Sequence, residues 1–156
     1  MDTGSQDLEK KQAILRARKR MMDYLAIRDH SEHELREKMS ESFEPEEIDA
    51  AIEYGKNQGW IASDEVGQAA LAAKTAELLH RKLKGAQYIN QYLEEKGLPP
   101  IAVDFQRELE KARKLLENKY PDLASADDDD RAKAGRFLAS RGFEIGVVED
   151  LIFNRK

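Results

Sequence analysis

Few residues in this chain have the type and spacing that chemistry needs. His30 and His33 are its only closely spaced histidines, and Ser31 between them marks a helix start rather than the i, i+4 geometry of a helical metal site. The run Asp127 to Asp130 could attract a cation, but it lacks the interleaved glycine and closing glutamate of a calcium loop. It reads instead as a solvated N-cap that suits the helix dipole. Cysteine is absent, which excludes disulfides, thiolate metal sites and a cysteine nucleophile. No glycine-rich phosphate loop, nucleophile elbow or set of His, carboxylate and nucleophile can be assembled. The pattern therefore fits a binding protein better than an enzyme.

The more suggestive group is His80, Arg81, Lys82, Lys84 and Gly85, followed by Tyr88 and Tyr92. Basic side chains gathered at a helix end either satisfy terminal carbonyls or form a local anion site, and spacing leaves both open. Arg16, Arg18, Lys19 and Arg20 form a second basic group, fanned around a helix so that only part can face one partner. Trp60, directly after Gly59, is expected to pack across an interface between repeats.

Helices must position these groups. An apolar pattern occurs three times, as Leu35, Met39, Phe43 and Ile48, as Ile89, Leu93, Leu98 and Val103, and as Ala134, Leu138, Phe143 and Val148. Recurrence at roughly fifty residues without any strand-like alternation predicts an all-α fold of three tandem three-helix repeat units in an elongated, curved stack. The expected boundaries are an N-terminal extension over 1–12 and repeat units over 13–61, 62–104 and 105–156. Residues 1–7 read as a frayed start, and Ile14, Ala17, Met21 and Leu25 then step along the first helix to about Arg28. Ser31 with Glu34 predicts a capping box, Pro45 opens a third helix, and Gly59 stops it. Ser63 or Asp64 caps the next helix, Gly97 ends a short one, and Pro99 with Pro100 is expected to open another. The stripe from Val103 through Phe105, Leu109, Ala112, Leu116 and Tyr120 predicts nearly continuous helix, ended by Pro121. Leu35, Met39, Ile48, Ile52, Leu93, Val103, Leu138, Phe143 and Val148 are the expected core.

Composition narrows the class of partner. Charged residues make up 37% of the 156 and aromatic ones 7%, which suits thin stacked units better than one thick core. The net charge of −5 supplies no global field for nucleic acid, so polyanion binding would rest on local patches. Those patches exist: residues 9–28 hold seven basic and two acidic side chains, whereas 29–53 hold two basic and ten acidic. The first residues contain no apolar signal segment and no stretch is apolar enough to span a membrane, so a cytoplasmic location is expected.

Particular runs resemble one family. Tyr24-Leu25-Ala26-Ile27-Arg28-Asp29-His30-Ser31, followed by Glu34-Leu35-Arg36 and Lys38, resembles the opening signature of the RecX family of bacterial recombinase regulators. Gly59-Trp60-Ile61 with Asp64-Glu65, the basic stretch ending at Lys84-Gly85, Ala112-Arg113-Lys114-Leu115, and Arg136-Phe137-Leu138 with Gly142-Phe143 resemble its later segments in order. The resemblance covers about residues 13–153 and implies tandem three-helix units, no cofactor, no enzymatic activity and a role in recombination, DNA repair and the SOS response. It also implies binding to the RecA recombinase filament on single-stranded DNA, most simply as a monomeric inhibitor, with weak or indirect nucleic-acid contact. Arg81, Lys82, Lys84, Gly85, Arg131, Lys133, Arg136 and Arg141 are the expected contact residues. A direct DNA-binding helical module is the alternative, opposed by the acidic second and third helices.

Overall fold

The computed structural model describes residues 3–153. They form helices α1 (Thr3–Ile27), α2 (Glu32–Met39), α3 (Pro45–Asn57), α4 (Glu65–Arg81), α5 (Ala86–Glu95), α6 (Phe105–Lys119), α7 (Asp128–Ser140) and α8 (Ile145–Val148). A 3-10 turn covers Leu123–Ser125, and α8 continues as a π-helical turn over Glu149–Phe153. The described residues contain no strand, as the helical periodicity implies. Two compact units are built from them, one on the chain through Leu71 with Lys96–Leu98, the other on Ala72–Glu95 with the chain from Pro99 onward.

In the first unit, α1, α2 and α3 bury Ala17, Met21, Leu35, Met39, Ile48, Ala51 and Ile52 together with Ile61. Gly55 allows α3 to approach α1 closely, because a Cβ there would press into Ile61 and the Met21 sulfur. Of the expected frayed start over residues 1–7, residues 3–7 are helical, the first helix being formed from Thr3, while Met1 and Asp2 lie outside the described residues. Trp60 also departs from expectation. It stands edge-on to Tyr54, six residues earlier, at 5.6 Å within this unit and stays 42% exposed.

Ser31 caps α2 by accepting from the Glu34 N–H at 3.1 Å. The reciprocal half of the expected box does not form, because the Glu34 carboxylate turns to cations instead. Arg28 donates to it at 3.0 Å, and Lys96 and Lys38 lie at 3.1 and 3.6 Å. Reciprocal capping appears one helix later, where Glu47 accepts from the Glu44 N–H at 3.2 Å ahead of Pro45.

In the second unit, Leu109, Ala112 and Leu116 of α6 meet Ala134 and Leu138 of α7, with Phe143, Val147, Val148 and Ile152 closing the core. The expected core residues are buried with one exception: Val103 is 48% exposed. The cause lies just upstream, where Pro99 and Pro100 open no helix and residues 98–104 run without helical structure. Neither proline has an N–H to give, and Asn90 of α5 fastens the segment by accepting from the Ile101 N–H at 2.8 Å and donating to its carbonyl at 3.2 Å. Beyond it α6 is unbroken, as the stripe predicts, but it starts at Phe105 because Asp104 caps it through the Arg107 N–H.

The Glu34 cluster makes the first unit acid-sensitive. Burial pushes its carboxyl up, but the bonds from Arg28 and Lys96 overcome this and hold it at about 2, below the ordinary 4.5. A carboxyl depressed on folding stabilises above its ordinary value and loses that contribution as pH falls toward the folded one. Glu34→Gln should therefore cost about 2–3 kcal/mol near neutral pH in chemical denaturation. The gap from the parent should narrow as pH falls from 4.5 to about 2.

Candidate functional site

The basic cluster at the end of α4 is shaped by how that helix stops. The Lys84 N–H reaches back to the Leu79 carbonyl at 3.1 Å and the Leu83 N–H to that of His80 at 2.9 Å, which places Leu83 at a positive φ of 61°. Glycine usually fills such a position, and here it stands two residues later because Gly85 is needed for a closer contact. A Cβ on Gly85 would fall inside the backbone of Gly142.

That contact is a backbone clasp between two turns. The Gly85 N–H donates to the Arg141 carbonyl at 2.8 Å and the Gln87 N–H to that of Gly142 at 3.0 Å. Gly142 has a φ of 94° and presses so closely on Tyr88 that a side chain has no place there. The clasp brings the α4–α5 turn and the α7–α8 turn together, and with them two cations far apart in sequence. The Lys84 ammonium lies 4.8 Å from the Tyr88 ring centre, and the Arg141 guanidinium 5.3 Å from that of Phe137. Lys119 stands over the same Phe137 ring at 4.2 Å, and Tyr120 packs against it with ring centres 6.0 Å apart. The joined turns thus carry a ridge of cations set against aromatic rings, Lys84 by Tyr88 and Arg141 with Lys119 by Phe137, suited to an anionic or planar partner group.

Buried charge underpins the ridge. Glu108 of α6 accepts from the Ala86 N–H at 2.6 Å, a carboxylate at the N-terminus of α5, and pairs with Lys111 one turn along its own helix. Lys111 also donates to the Lys84 carbonyl at 2.7 Å, so the ridge backbone is tied to α6. Burial pushes the Lys111 ammonium below its ordinary range, and Glu108 restrains the shift. Burial, followed by the charges of Lys111 and Arg107, lowers the His80 ring as well, which keeps it neutral and lets Nδ1 accept from Lys111 at 2.8 Å.

The expected contact residues divide by place. Arg81 and Lys82 are exposed at the end of α4, Lys133 and Arg136 are exposed on α7, and Lys84 and Arg141 are half-buried on the ridge. Gly85 is buried and serves the clasp. Arg131 is buried too. Its guanidinium donates to the carbonyls of Ile152 at 2.8 Å, Leu123 at 3.1 Å and both Ala124 and Ala126 at 3.3 Å, so it works as an internal tie. Lys119 on the ridge was not anticipated, although a lysine beside Tyr120 and Pro121 at a helix end is a readable sign. The pair Glu108 and Lys111 was missed as well, and its signal is position, since these charges flank Leu109 and Ala112 on the buried stripe.

Metal chemistry finds no support. Among the described residues no group of three His, Asp or Glu side chains is placed to hold an ion. His30 is buried with Nδ1 2.9 Å from the Arg28 carbonyl and Nε2 2.9 Å from the Lys38 ammonium, whereas His33 pairs with Glu37 at 3.0 Å. Asp127 accepts from the Asp130 N–H at 2.8 Å and so caps α7, the role its position suggests. No helix among the described residues is long and apolar enough to cross a membrane.

Comparison with known proteins places two segments in one family. Residues 17–54 match the first three-helix domain of RecX and residues 106–152 the third. The regulatory protein RecX of Leptothrix cholodnii is 33% identical over 142 residues, covering 85% of each chain. That of Pseudomonas savastanoi pv. phaseolicola is 30% identical over 149 residues, covering 88% of this chain and 90% of its own. In fold, the chain is similar to a crystal structure of regulatory protein RecX, with a TM-score of 0.70, 21% identity and coverage of 97% of this chain and 78% of that one. RecX from Lactobacillus salivarius gives 0.68, at 17% identity and 91% and 96% coverage.

Three variants test the framework of the ridge. Glu108→Ala should cost about 3–5 kcal/mol in chemical denaturation, since it strands a buried ammonium and an orphaned Ala86 N–H. Glu108→Leu combined with Lys111→Met should recover the part of that loss due to the stranded ammonium, while the Ala86 N–H stays orphaned. Gly142→Ala should destabilise by about 2 kcal/mol or more through the left-handed φ and the collision with Tyr88, read as a lower thermal midpoint.

Proposed function

This chain belongs to the RecX family, and on that premise we propose that it binds the RecA recombinase filament on single-stranded DNA and limits its growth or persistence. The observation that carries the reading is the clasp, which joins the turns that bear Lys84 and Arg141, each cation set against an aromatic ring. Arg81 and Lys82, exposed at the end of α4, and Lys133 and Arg136, exposed on α7, supply further cations for the contact. The protein acts by occupancy: it binds across filament protomers and shifts them through differential affinity for filament states, without a catalytic residue or cofactor. It works as a monomer in the cytoplasm, where the filament forms.

Direct binding to bare DNA is the second reading, favoured by the same cation-aromatic ridge. Ten acidic side chains between residues 29 and 53 and the net charge of −5 oppose it. Affinity for bare DNA should accordingly be weak and fall steeply with salt.

The decisive measurement is binding to preformed RecA filaments on single-stranded DNA, beside bare DNA over a salt series. Lys82→Glu with Lys84→Glu should weaken filament binding about tenfold or more, while helix content and the thermal midpoint stay near the parent's, because Lys82 is exposed and Lys84 only half-buried, and charges in contact with water contribute little to folding. Full affinity of the double variant at low and moderate salt would move the binding face elsewhere. Equal affinity for bare DNA and filament would favour the second reading.

A further inference from the structure

Helix α1 carries an unpartnered seam that the filament reading does not use. Leu8, Leu15 and Met22 are spaced by seven residues and remain 57%, 56% and 43% exposed. Seven residues are close to two helical turns, so the three line one stripe. The packed face of the helix lies elsewhere, through Ala17 and Met21, which are fully buried. From Gly4 to Gln12 every residue is exposed, so this part of α1 has no apolar cover among the described residues. Tertiary packing supplies most helical stability in proteins, and a stripe repeating every seven residues is the form in which one helix accepts another.

Charge selects the occupant. The neighbours of the seam three and four positions along are Lys11, Gln12, Arg18 and Lys19, without a carboxylate among them. Arg18 is already stacked 3.7 Å over Tyr54, which leaves Lys11 and Lys19 as the exposed cations beside the apolar residues. A second copy laid seam to seam would bring these cations against their equivalents, whichever way the helices ran, at a cost in like-charge repulsion. We propose that the Leu8, Leu15 and Met22 seam is a docking face for an acidic amphipathic helix of a partner protein, whose leucine-type seam covers these residues while its flanking carboxylates meet Lys11 and Lys19. The site is independent of Lys82 and Lys84, so its test and that of the filament reading fail separately.

The probe is a synthetic helix of three heptads with leucine along its seam and glutamate on both flanks, labelled for fluorescence anisotropy against the full chain. A control peptide carries lysine at the flanks. The acidic peptide should bind at least tenfold more tightly than the basic one. Leu8→Ser with Leu15→Ser and Met22→Ser should weaken it tenfold or more, and so should Lys11→Glu with Lys19→Glu, with the helical circular dichroism of both variants unchanged. Equal binding of the two peptides, or undiminished binding by either variant, would overturn the proposal. Self-association in sedimentation that the serine variant abolishes would assign the seam to a second copy. Binding to anionic phosphatidylglycerol vesicles without binding to the peptide would assign it to a membrane surface. Either of these results also overturns the acidic-helix assignment.

Discussion

Two hydrogen bonds from Gly85 and Gln87 to carbonyls more than fifty residues away hold the cationic ridge together. They require the backbones of two turns to touch, and only glycine on both sides permits that approach. Other features of the second unit follow from the demand. Leu83 takes up the left-handed conformation in place of a glycine, and Arg141, whose carbonyl is one of the acceptors, is fixed in place by its own backbone. Side-chain attraction between Lys84 and Arg141 is not the cause, since the two carry the same charge. Backbone bonding joins the turns that carry them, which leaves both charges available to something else.

Each unit also buries one glutamate among cations. Glu34 meets Arg28, Lys38 and Lys96, and Glu108 meets Lys111 and the first N–H of α5. Such groups contribute little net stability compared with a well-packed hydrocarbon, but they tolerate few alternative arrangements, because a displaced partner leaves a charge without water or counterion. In a fold of thin, similar helices, hydrophobic packing alone discriminates weakly between neighbouring registers. A carboxylate that must find three named donors discriminates sharply.

The apolar periodicity made the helices and most of the core legible. It failed at Val103, where the spacing repeats but the backbone does not: two prolines deny the segment its N–H groups, so no helix returns the valine to the interior. For Arg131 the reading by charge conflicted with the reading by position. Arg131, Ala134 and Leu138 share one face of α7, and that face is buried, so the guanidinium was destined for the carbonyls of the turn before it. Lys111 follows the same rule on α6. The clasp was not legible in the same way, because a glycine in a basic run reads as a helix stop, and only the three-dimensional path shows which second glycine it must meet.

Asn90 gives the irregular stretch before α6 an unusual kind of order. Its side-chain amide donates and accepts as a neighbouring strand would, so Ile101 sits in what amounts to a single rung of β-ladder built from one asparagine. Amide exchange with solvent follows opening of hydrogen bonds, not membership of a named secondary structure. The Ile101 amide therefore draws its protection from a side chain of α5, and slow exchange is expected in a stretch that is a loop in space.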